Sequence, residues 1–511
     1  MKYDAETSLL SVIGASLHDV LTRLKAEPQR FPKLEILYSK ERPVTEAVCI
    51  HLPQNGLRLR FDGPEQRLRL IEVTDFTKNH ITYEDRDLVR TQNGSSDPPG
   101  SPVPGESSAG PTFRHVYHRL LGPTYGGEYI SPASDQDTGI YVLSYPGVAF
   151  NFPLDPSKFS PNKDVVSLLS ASANQVATSM AIFSGASWAE ARPTLWTEIL
   201  PSIKTSSTQQ RGKDIYPDEV SLARLHGGGR IQLFRKWSTN STWITLGETT
   251  PQSLVMALGP PNAIYRKSEQ KMMVHKLRSA SNAHARPMLG DLGRPDDSTD
   301  TDQSSTNAGS EISDDEEVDE EQSLGNPLGE CFYNYFYLGF DVLMSNNPTV
   351  SAYPPGSEDT AENSTEANGV KNDLADRLVA AKIVLHGNIP GSYEFNRHRR
   401  CRWEIAYLDD QPPTADAINS ETDFKLIEDQ LRRKWGSVLP RGESSSRQRG
   451  MVLNRGWGDS PGSSCEFMGG WEESGARRIN PGGDSTTTLY GFPGMVFEVL
   501  KNGYVNTVTV F

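Results

Sequence analysis

One pattern recurs four times along this chain and limits the folds that it can adopt: an amphipathic helix followed by short strands of alternating apolar and polar residues. In the first copy, Leu17, Val20, Leu21 and Leu24 fall on one helical face, and Leu57–Phe61 alternates strictly. Such alternation is typical of a sheet with one buried and one solvated side. A helix over the buried side covers both apolar surfaces. The pattern therefore predicts an α+β fold.

The other three copies begin with helical stripes at Phe113, at Thr250-Pro251 and at Phe424, and strands follow each of them. The order of elements is shared, but the spacing between copies is irregular, which favours a divergent duplication over a solenoid. Helix-then-hairpin segments also occur in unrelated α+β proteins, so an origin without duplication stays open.

The predicted organisation is four tandem units, each with one helix packed on a short antiparallel meander. They span residues 8–91, 111–243 (with extra strands), 244–410 and 411–511. Four segments rich in Pro, Gly, Ser or acids have few apolar residues to bury, and we expect them to be disordered insertions. These insertions are residues 92–110, 279–327, 354–373 and 454–484.

The acidity of the chain comes from one of these insertions. The net charge is −14, and residues 291–322 contribute −12 of it, with thirteen acids and one base. The remaining residues are nearly neutral and lack the basic footprint of a nucleic-acid-binding protein, so nucleic acid is disfavoured as a partner. Ser313 is followed by four acidic residues, which makes it a candidate phosphorylation site for an acidophilic kinase.

The sequence favours a cytoplasmic protein without a transmembrane segment. The N-terminus has acids where a signal peptide has its basic and apolar regions. The best apolar run, residues 176–183, is interrupted by Thr178 and Ser179 and is far shorter than the ~20 residues that span a bilayer. Four scattered cysteines without a CxxC pair indicate neither a disulfide scaffold nor a zinc knuckle.

Two strings resemble hydrolase motifs: residues 458–462 match G-x-S-x-G, and residues 226–229 read His-Gly-Gly-Gly. The residue after the nucleophile Ser460 is Pro461, which has no backbone N–H for an oxyanion hole. The last histidine of the chain, His398, also precedes Ser460, against the order of that enzyme class. No nucleotide-binding or metalloprotease motif occurs, so we predict a protein that is not an enzyme and has no cofactor.

A metal site is considered at His386 and His398, which are flanked in the sequence by Cys331 and Cys401. Four convergent ligands would be needed. Polar positions on strands explain these residues more simply, so we predict no bound metal.

A basic cluster lies at Arg397, Arg399, Arg400 and Arg402. If residues 400–405 form one strand, Cys401, Trp403 and Ile405 face the core, and the arginines lie on the outer face. Guanidinium groups suit phosphate recognition, so the cluster is a candidate contact for an anion or an acidic partner. Charge reversal there would then leave the fold intact. An ordinary solvated strand face stays open as the alternative.

The chain resembles the phagosome assembly factor family, formerly an uncharacterised conserved eukaryotic family. The resemblance spans nearly the whole folded chain. The strings that carry it include residues 56–62, Gln66–Leu68, Tyr333–Phe336, Leu338–Leu343, Val384–His386, Asn388–Gly391 and Met495–Val499. The long polar insertions and Gly387 depart from the family pattern.

The resemblance implies a non-enzymatic autophagy adaptor at the phagophore assembly site. It also implies a complex with a WD40-type β-propeller protein and recruitment, direct or through that partner, to phosphoinositide-containing membranes. We therefore expect a cytoplasmic protein that is peripheral on the phagophore or other endomembranes. The alternative is a general trafficking scaffold whose association with membranes is only indirect.

Overall fold

The computed structural model describes residues 13–84, 86–89, 110–124, 127–132, 138–161, 166, 168, 175–200, 218–266, 330–346, 378–406, 418–435, 450–454 and 486–511. The predicted insertions lie outside these ranges, apart from two marginal residues. Gly110 is buried, because it packs against the backbone of Ala177, and Asn454 ends a strand. These two residues therefore belong to the fold.

The α-helices of the described ranges include α1 Leu17–Ala26, α2 Phe113–His115 continued by a π-helical turn Val116–Leu120, α3 Trp188–Thr194, α4 Pro251–Leu258 and α5 Phe424–Trp435. Two short 3-10 helices, Phe76–Lys78 and Pro156–Lys158, are also present.

The strands are β1 Glu35–Leu37, β2 Val48–Leu52, β3 Leu57–Phe61, β4 Leu68–Val73, β5 Thr82–Tyr83, β6 Arg86–Asp87, β7 Glu128–Ile130, β8 Gly139–Tyr145, β9 Val148–Leu154, β10 Ser179–Phe183, β11 Val220–Leu225, β12 Arg230–Arg235, β13 Ser241–Thr245, β14 Ala263–Arg266, β15 Cys331–Tyr335, β16 Phe340–Ser345, β17 Val379–His386, β18 Trp403–Ile405, β19 Met451–Asn454, β20 Thr486–Phe492, β21 Met495–Val499 and β22 Val505–Val510.

The first half of the chain forms one eight-stranded antiparallel sheet in the order β1-β2-β3-β4-β10-β9-β8-β7. It consists of two four-stranded meanders that pair through their last strands, with Ile71 of β4 opposite Ile182 of β10. The second half repeats this arrangement in the order β14-β15-β16-β17-β22-β21-β20-β19, where β17 pairs with β22. A helix precedes each of the four meanders. The predicted α+β class is confirmed.

Helix α1 buries its apolar stripe against the first sheet. Leu17, Val20, Leu21 and Leu24 are all buried in the core under the first sheet. The side chain of Ser16 caps the helix by accepting the backbone N–H of Asp19 at 3.1 Å. Helices α4 and α5 bury their stripes in the core of the second half in the same way.

A third, four-stranded sheet in the order β13-β12-β11-β18 contains strands from two of the predicted units. Strand β18 pairs in parallel with β11, with Trp403 opposite Ala223. The pairing thus follows a grouping different from the four predicted units, whose boundaries stay predictions. None of the described helices is long and apolar enough to cross a bilayer.

One predicted strand is much shorter than expected. Residues 400–402 are not part of it, and β18 comprises only Trp403–Ile405. The preceding residues form turns across the second sheet, so their side chains do not alternate as in a strand. Cys401, Trp403 and Ile405 are nevertheless buried, as predicted.

Candidate functional site: a buried polar junction

The two halves meet at a loop that belongs to the second half. This junction loop, residues 387–402, connects β17 to β18. Its backbone is fixed to the second sheet, because Arg399 N donates to Phe336 O at 2.8 Å and Cys401 N donates to His386 O at 2.9 Å. The two ends of the loop therefore lie close together at the end of β17.

A buried carboxylate, Asp341 of β16, lies beneath these loop ends. His386 Nε2 is 2.9 Å from Asp341 Oδ2, and His398 Nε2 is 3.0 Å from Asp341 Oδ1. Asn334 Nδ2 donates to the latter oxygen at 3.0 Å. The two imidazole rings are stacked, with centroids 3.7 Å apart and planes 9° from parallel. One carboxylate thus holds both histidines of the loop ends.

The electrostatics of this cluster favour one charged carboxylate and a neutral His398. Burial by itself would raise the pKa of Asp341, but the charge and hydrogen bonds of His386 and His398 outweigh it and lower this pKa. Burial and the adjacent His386 lower the pKa of His398 to about 3, although the hydrogen bond to Asp341 opposes this. We therefore assign the Nε2–H tautomer to His398 at neutral pH.

The ligand atoms of Asp341, His386 and His398 lie within 4.8 Å of one another, which would be close enough for a metal ion. An imidazole binds metal along a lone pair in its ring plane, at ~2.0–2.1 Å for zinc. Two nearly parallel rings 3.7 Å apart cannot both point at one ion. Cys331 and Cys401 lie in the hydrophobic core instead of this cluster. The geometry therefore favours hydrogen bonding over metal binding.

A pair of buried amides joins the loop to the first half. Gln66, in the turn between β3 and β4, donates from Nε2 to Asn388 O at 2.7 Å. Asn388 Nδ2 donates in return to Gln66 Oε1 at 2.8 Å. Asn388 Oδ1 also accepts the backbone N–H of Asn396 at 2.7 Å. Both amide residues adopt the left-handed region, with φ of 53° and 46°, so the two turns present their side chains to each other.

Arg400 makes the most extensive contacts of the predicted basic cluster. Its guanidinium donates to Pro64 O at 2.8 Å, to Gly387 O at 2.7 Å and to Glu421 Oε1 at 3.1 Å. The side chain is only 1% exposed. A buried charge is stable only when it is paired in this way, so Arg400 is a structural link between both halves.

Its neighbours are paired as well. Arg399 forms ion pairs with Asp19 of α1 and, at 2.8 Å, with Glu219. Arg402 donates to both oxygens of Glu421, at 3.0 and 3.2 Å. Burial would raise the pKa of Glu421, but the two arginines outweigh it and lower this pKa. The positive charge of these arginines is therefore balanced by nearby carboxylates.

The prediction of an outward-facing basic strand is wrong for Arg399 and Arg400, which are both buried. The loop turns these side chains towards acids that are distant in the sequence, which no local pattern reveals. Arg397 lies 3.9 Å from Glu394 and is partly exposed. An anion contact by Arg397 or Arg402 stays a prediction, and Ser313 lies outside the described residues.

Reasoning from single motifs missed the partners that complete this site: Asp19, Gln66, Glu219, Asp341 and Glu421. Two of these partners could have been found from the sequence. Gln66 and Asp341 belong to the strings that carry the family resemblance, and these strings converge at the junction. The others have no such signal, because they are ordinary acids in amphipathic segments.

The junction loop crosses the second sheet next to Gly339, and a substitution of this glycine tests how closely the loop packs there. This glycine has φ +87°, and a Cβ there would lie 2.5 Å from Arg399 O and 2.9 Å from Cys401 N. We expect Gly339→Ala to lower the free energy of unfolding by about 3 kcal/mol, from overpacking and the left-handed backbone together.

Gly228→Ala is the matched control for this test, measured by urea denaturation. Gly228 has φ +61°, but nothing lies within 4 Å of its Cβ position. It should lose only the backbone term of about 1–2 kcal/mol. Equal losses in the two variants would contradict the close crossing of the loop.

Of the two strings that resemble hydrolase motifs, the structure describes only residues 226–229. His226–Gly229 is the hairpin turn between β11 and β12, and His226 Nε2 is 3.1 Å from Gln232 Oε1. The adjacent cavity measures about 40 Å³, which is room for little more than water. Ser460 lies outside the described residues.

Comparison with known proteins identifies the family. The family model described as phagosome assembly factor 1 matches residues 9–288 and 373–511. The chain belongs to the phagosome assembly factor 1 family. The resemblance predicted from the sequence is thus confirmed, and the matched ranges include both sides of the junction.

Relatives in this family are distant but span nearly the full length. A PHAF1 protein of Drosophila melanogaster is 22% identical over 98% of this chain and 90% of its own. PHAF1 proteins of Arabidopsis thaliana and Caenorhabditis elegans are each 23% identical over 98% of this chain and 89% and 90% of theirs. No solved structure matches the chain.

Proposed function

We propose that this protein is a non-catalytic adaptor in autophagy that helps to assemble phagosomes. The observation that carries the proposal is the family match over both halves of the chain. The junction supports a non-catalytic role, since its charged side chains are engaged with one another. Asp341, Arg399 and Arg400 are buried and are bound to other groups of the protein itself.

In its finer form, the proposal places the protein at the phagophore assembly site with a WD40-type β-propeller partner. Phosphoinositides would recruit this complex to the membrane. The near-neutral charge outside residues 291–322 favours recruitment through the partner, because direct headgroup binding usually relies on a basic surface. A general trafficking scaffold stays the second candidate function.

Affinity purification and vesicle flotation test these roles. We expect the tagged full chain to co-purify with a β-propeller protein and to collect in puncta on starvation. The purified chain alone should stay at the bottom of a gradient with phosphoinositide vesicles and should float when the propeller partner is added.

A deletion of residues 291–322 is the control, because it removes thirteen acids and one base and leaves the described elements in place. It should behave like the full chain in both assays. Puncta on all endomembranes irrespective of starvation would favour the trafficking scaffold. Absence of any propeller protein from the purified complex would contradict the finer proposal.

A further inference from the structure

The junction loop carries polar contacts between the halves, and its own ends are held by a pair of histidines. Asn388, Arg399 and Arg400 of the loop bind Gln66, Asp19 and Pro64 of the first half. His386 and His398 clamp the two ends of the same loop to Asp341. Any event that breaks the clamp therefore also weakens the contacts between the halves.

We propose that the stacked pair His386 and His398 is an acid-sensitive latch, in which protonation of His398 releases the junction loop from the second sheet and loosens the two halves from each other. The latch goes beyond the assembly role proposed above and does not depend on it.

The surroundings of His398 explain why a second proton would break the clamp. Asp341 faces it from β16 and His386 from β17, while Glu394 and Arg397 belong to the loop itself. The ring of Phe336 packs edge-on against it, with centroids 4.9 Å apart.

These groups leave no acceptor for an added proton. Asp341 already accepts from both rings and from Asn334. Glu394 lies on the side of His386, with Oε2 3.7 Å from Nδ1. His398 Nδ1 is buried without a hydrogen-bond partner. A proton there would leave a charged ring buried, with no acceptor for the new N–H and with the ring of His386 stacked 3.7 Å away.

The difference between the pKa of His398 in the closed loop and in the released loop determines how pH changes the ratio of open to closed loop. His398 in the closed loop takes up a proton only near pH 3, whereas in a released loop its pKa returns to 6.5. Because the folded pKa is depressed, the open state binds more protons between these values, and acid favours it. The ratio of open to closed loop should rise about 25-fold from pH 7 to pH 5.

Hydrogen exchange of the full chain measures this ratio, once rates are divided by the intrinsic rate at each pH. Reporters are the bonded amides of Asn396, Arg399 and Cys401. Peptides from β8 and β9 serve as an internal reference. We expect the loop amides to lose protection about 25-fold between pH 7 and pH 5 relative to the reference. A relative change below about 3-fold would overturn the latch.

Two variants assign the effect to His398. In His398→Gln the side-chain amide still donates towards Asp341 but does not titrate, so the relative loss of protection should disappear. His226→Gln removes a histidine of the third sheet that contacts Gln232, and it should keep the full effect. The latch is overturned if His398→Gln still shows it.

If His398→Gln does not fold, the wild-type pH profile still tests the latch, because a relative change below about 3-fold between pH 7 and pH 5 overturns it. Adding zinc chloride at pH 7 tests the alternative that Asp341, His386 and His398 bind a metal ion. Unchanged protection of the loop agrees with the latch. A large gain would mean that the rings rearrange around a metal, and would overturn it.

Discussion

Replacing Arg399, Arg400 and Arg402 together by glutamate is expected to unfold the protein. Arg400 is held by three carbonyls and Glu421, and Arg399 by two acids. Breaking one buried ion pair costs about 3–5 kcal/mol, and the new glutamates would add like charges beside Glu421 and Glu219. The two buried arginines alone account for about 6–10 kcal/mol, which with the added repulsion matches the ~5–15 kcal/mol of a typical native state, so no cooperative thermal transition should remain.

The control for this experiment changes the charge by the same amount at the surface. Arg114, Arg230 and Arg433 are exposed, and their replacement by glutamate should cost about 0.5 kcal/mol each or less. Circular dichroism during heating compares the two triple variants. A junction variant that melts within a few degrees of the parent would contradict the buried pairing and restore the solvated basic face.

Asn388→Ala is expected to lower the free energy of unfolding by about 3–7 kcal/mol. The change leaves the Asn396 N–H without its acceptor and Gln66 Oε1 without its donor. Each buried polar group left unpaired costs about 1–3 kcal/mol. Alanine at φ 46° adds about 1 kcal/mol of backbone strain. Urea denaturation measures the loss.

A double-mutant cycle shows whether this loss belongs to the contact between the halves. Gln66→Ala and Asn388→Ala should cost less together than the sum of the single variants, with a coupling energy of about 1–2 kcal/mol. Asn151→Ala is a suitable control partner, because its amide donates to Ser179 within the first sheet. Gln66→Ala should show no coupling to it. Additivity in both pairs would contradict a direct amide contact.

Local periodicity predicted much of the fold. The stripe of α1 and the alternation of β3 are buried as the pattern indicates. Asn55-Gly56, a pair typical of hairpin turns, lies in the turn before β3, with Gly56 at φ +59°. These features were predictable because each depends on residues within one turn or one strand, where the side-chain period directly shows the buried face.

Pattern reasoning did not predict β20 and α3. Thr486–Phe492 combines three threonines with a glycine and lacks apolar alternation, so it reads as a loop, and pairing with β21 makes it a strand. Helix α3 contains Pro193 and is only seven residues long. Both elements depend on a surface supplied by other parts of the chain.

The sequence by itself determined the class of fold, the family and the concentration of acidic charge in one segment, since composition and local pattern carry that information. Only the tertiary structure decided what the arginines and histidines of the junction do. Gln66 and Asn388 are 322 positions apart, and Arg399 and Asp19 are 380 apart. A charged side chain is solvated or buried according to whether such a distant partner reaches it, and this depends on the path of the loop across the sheet.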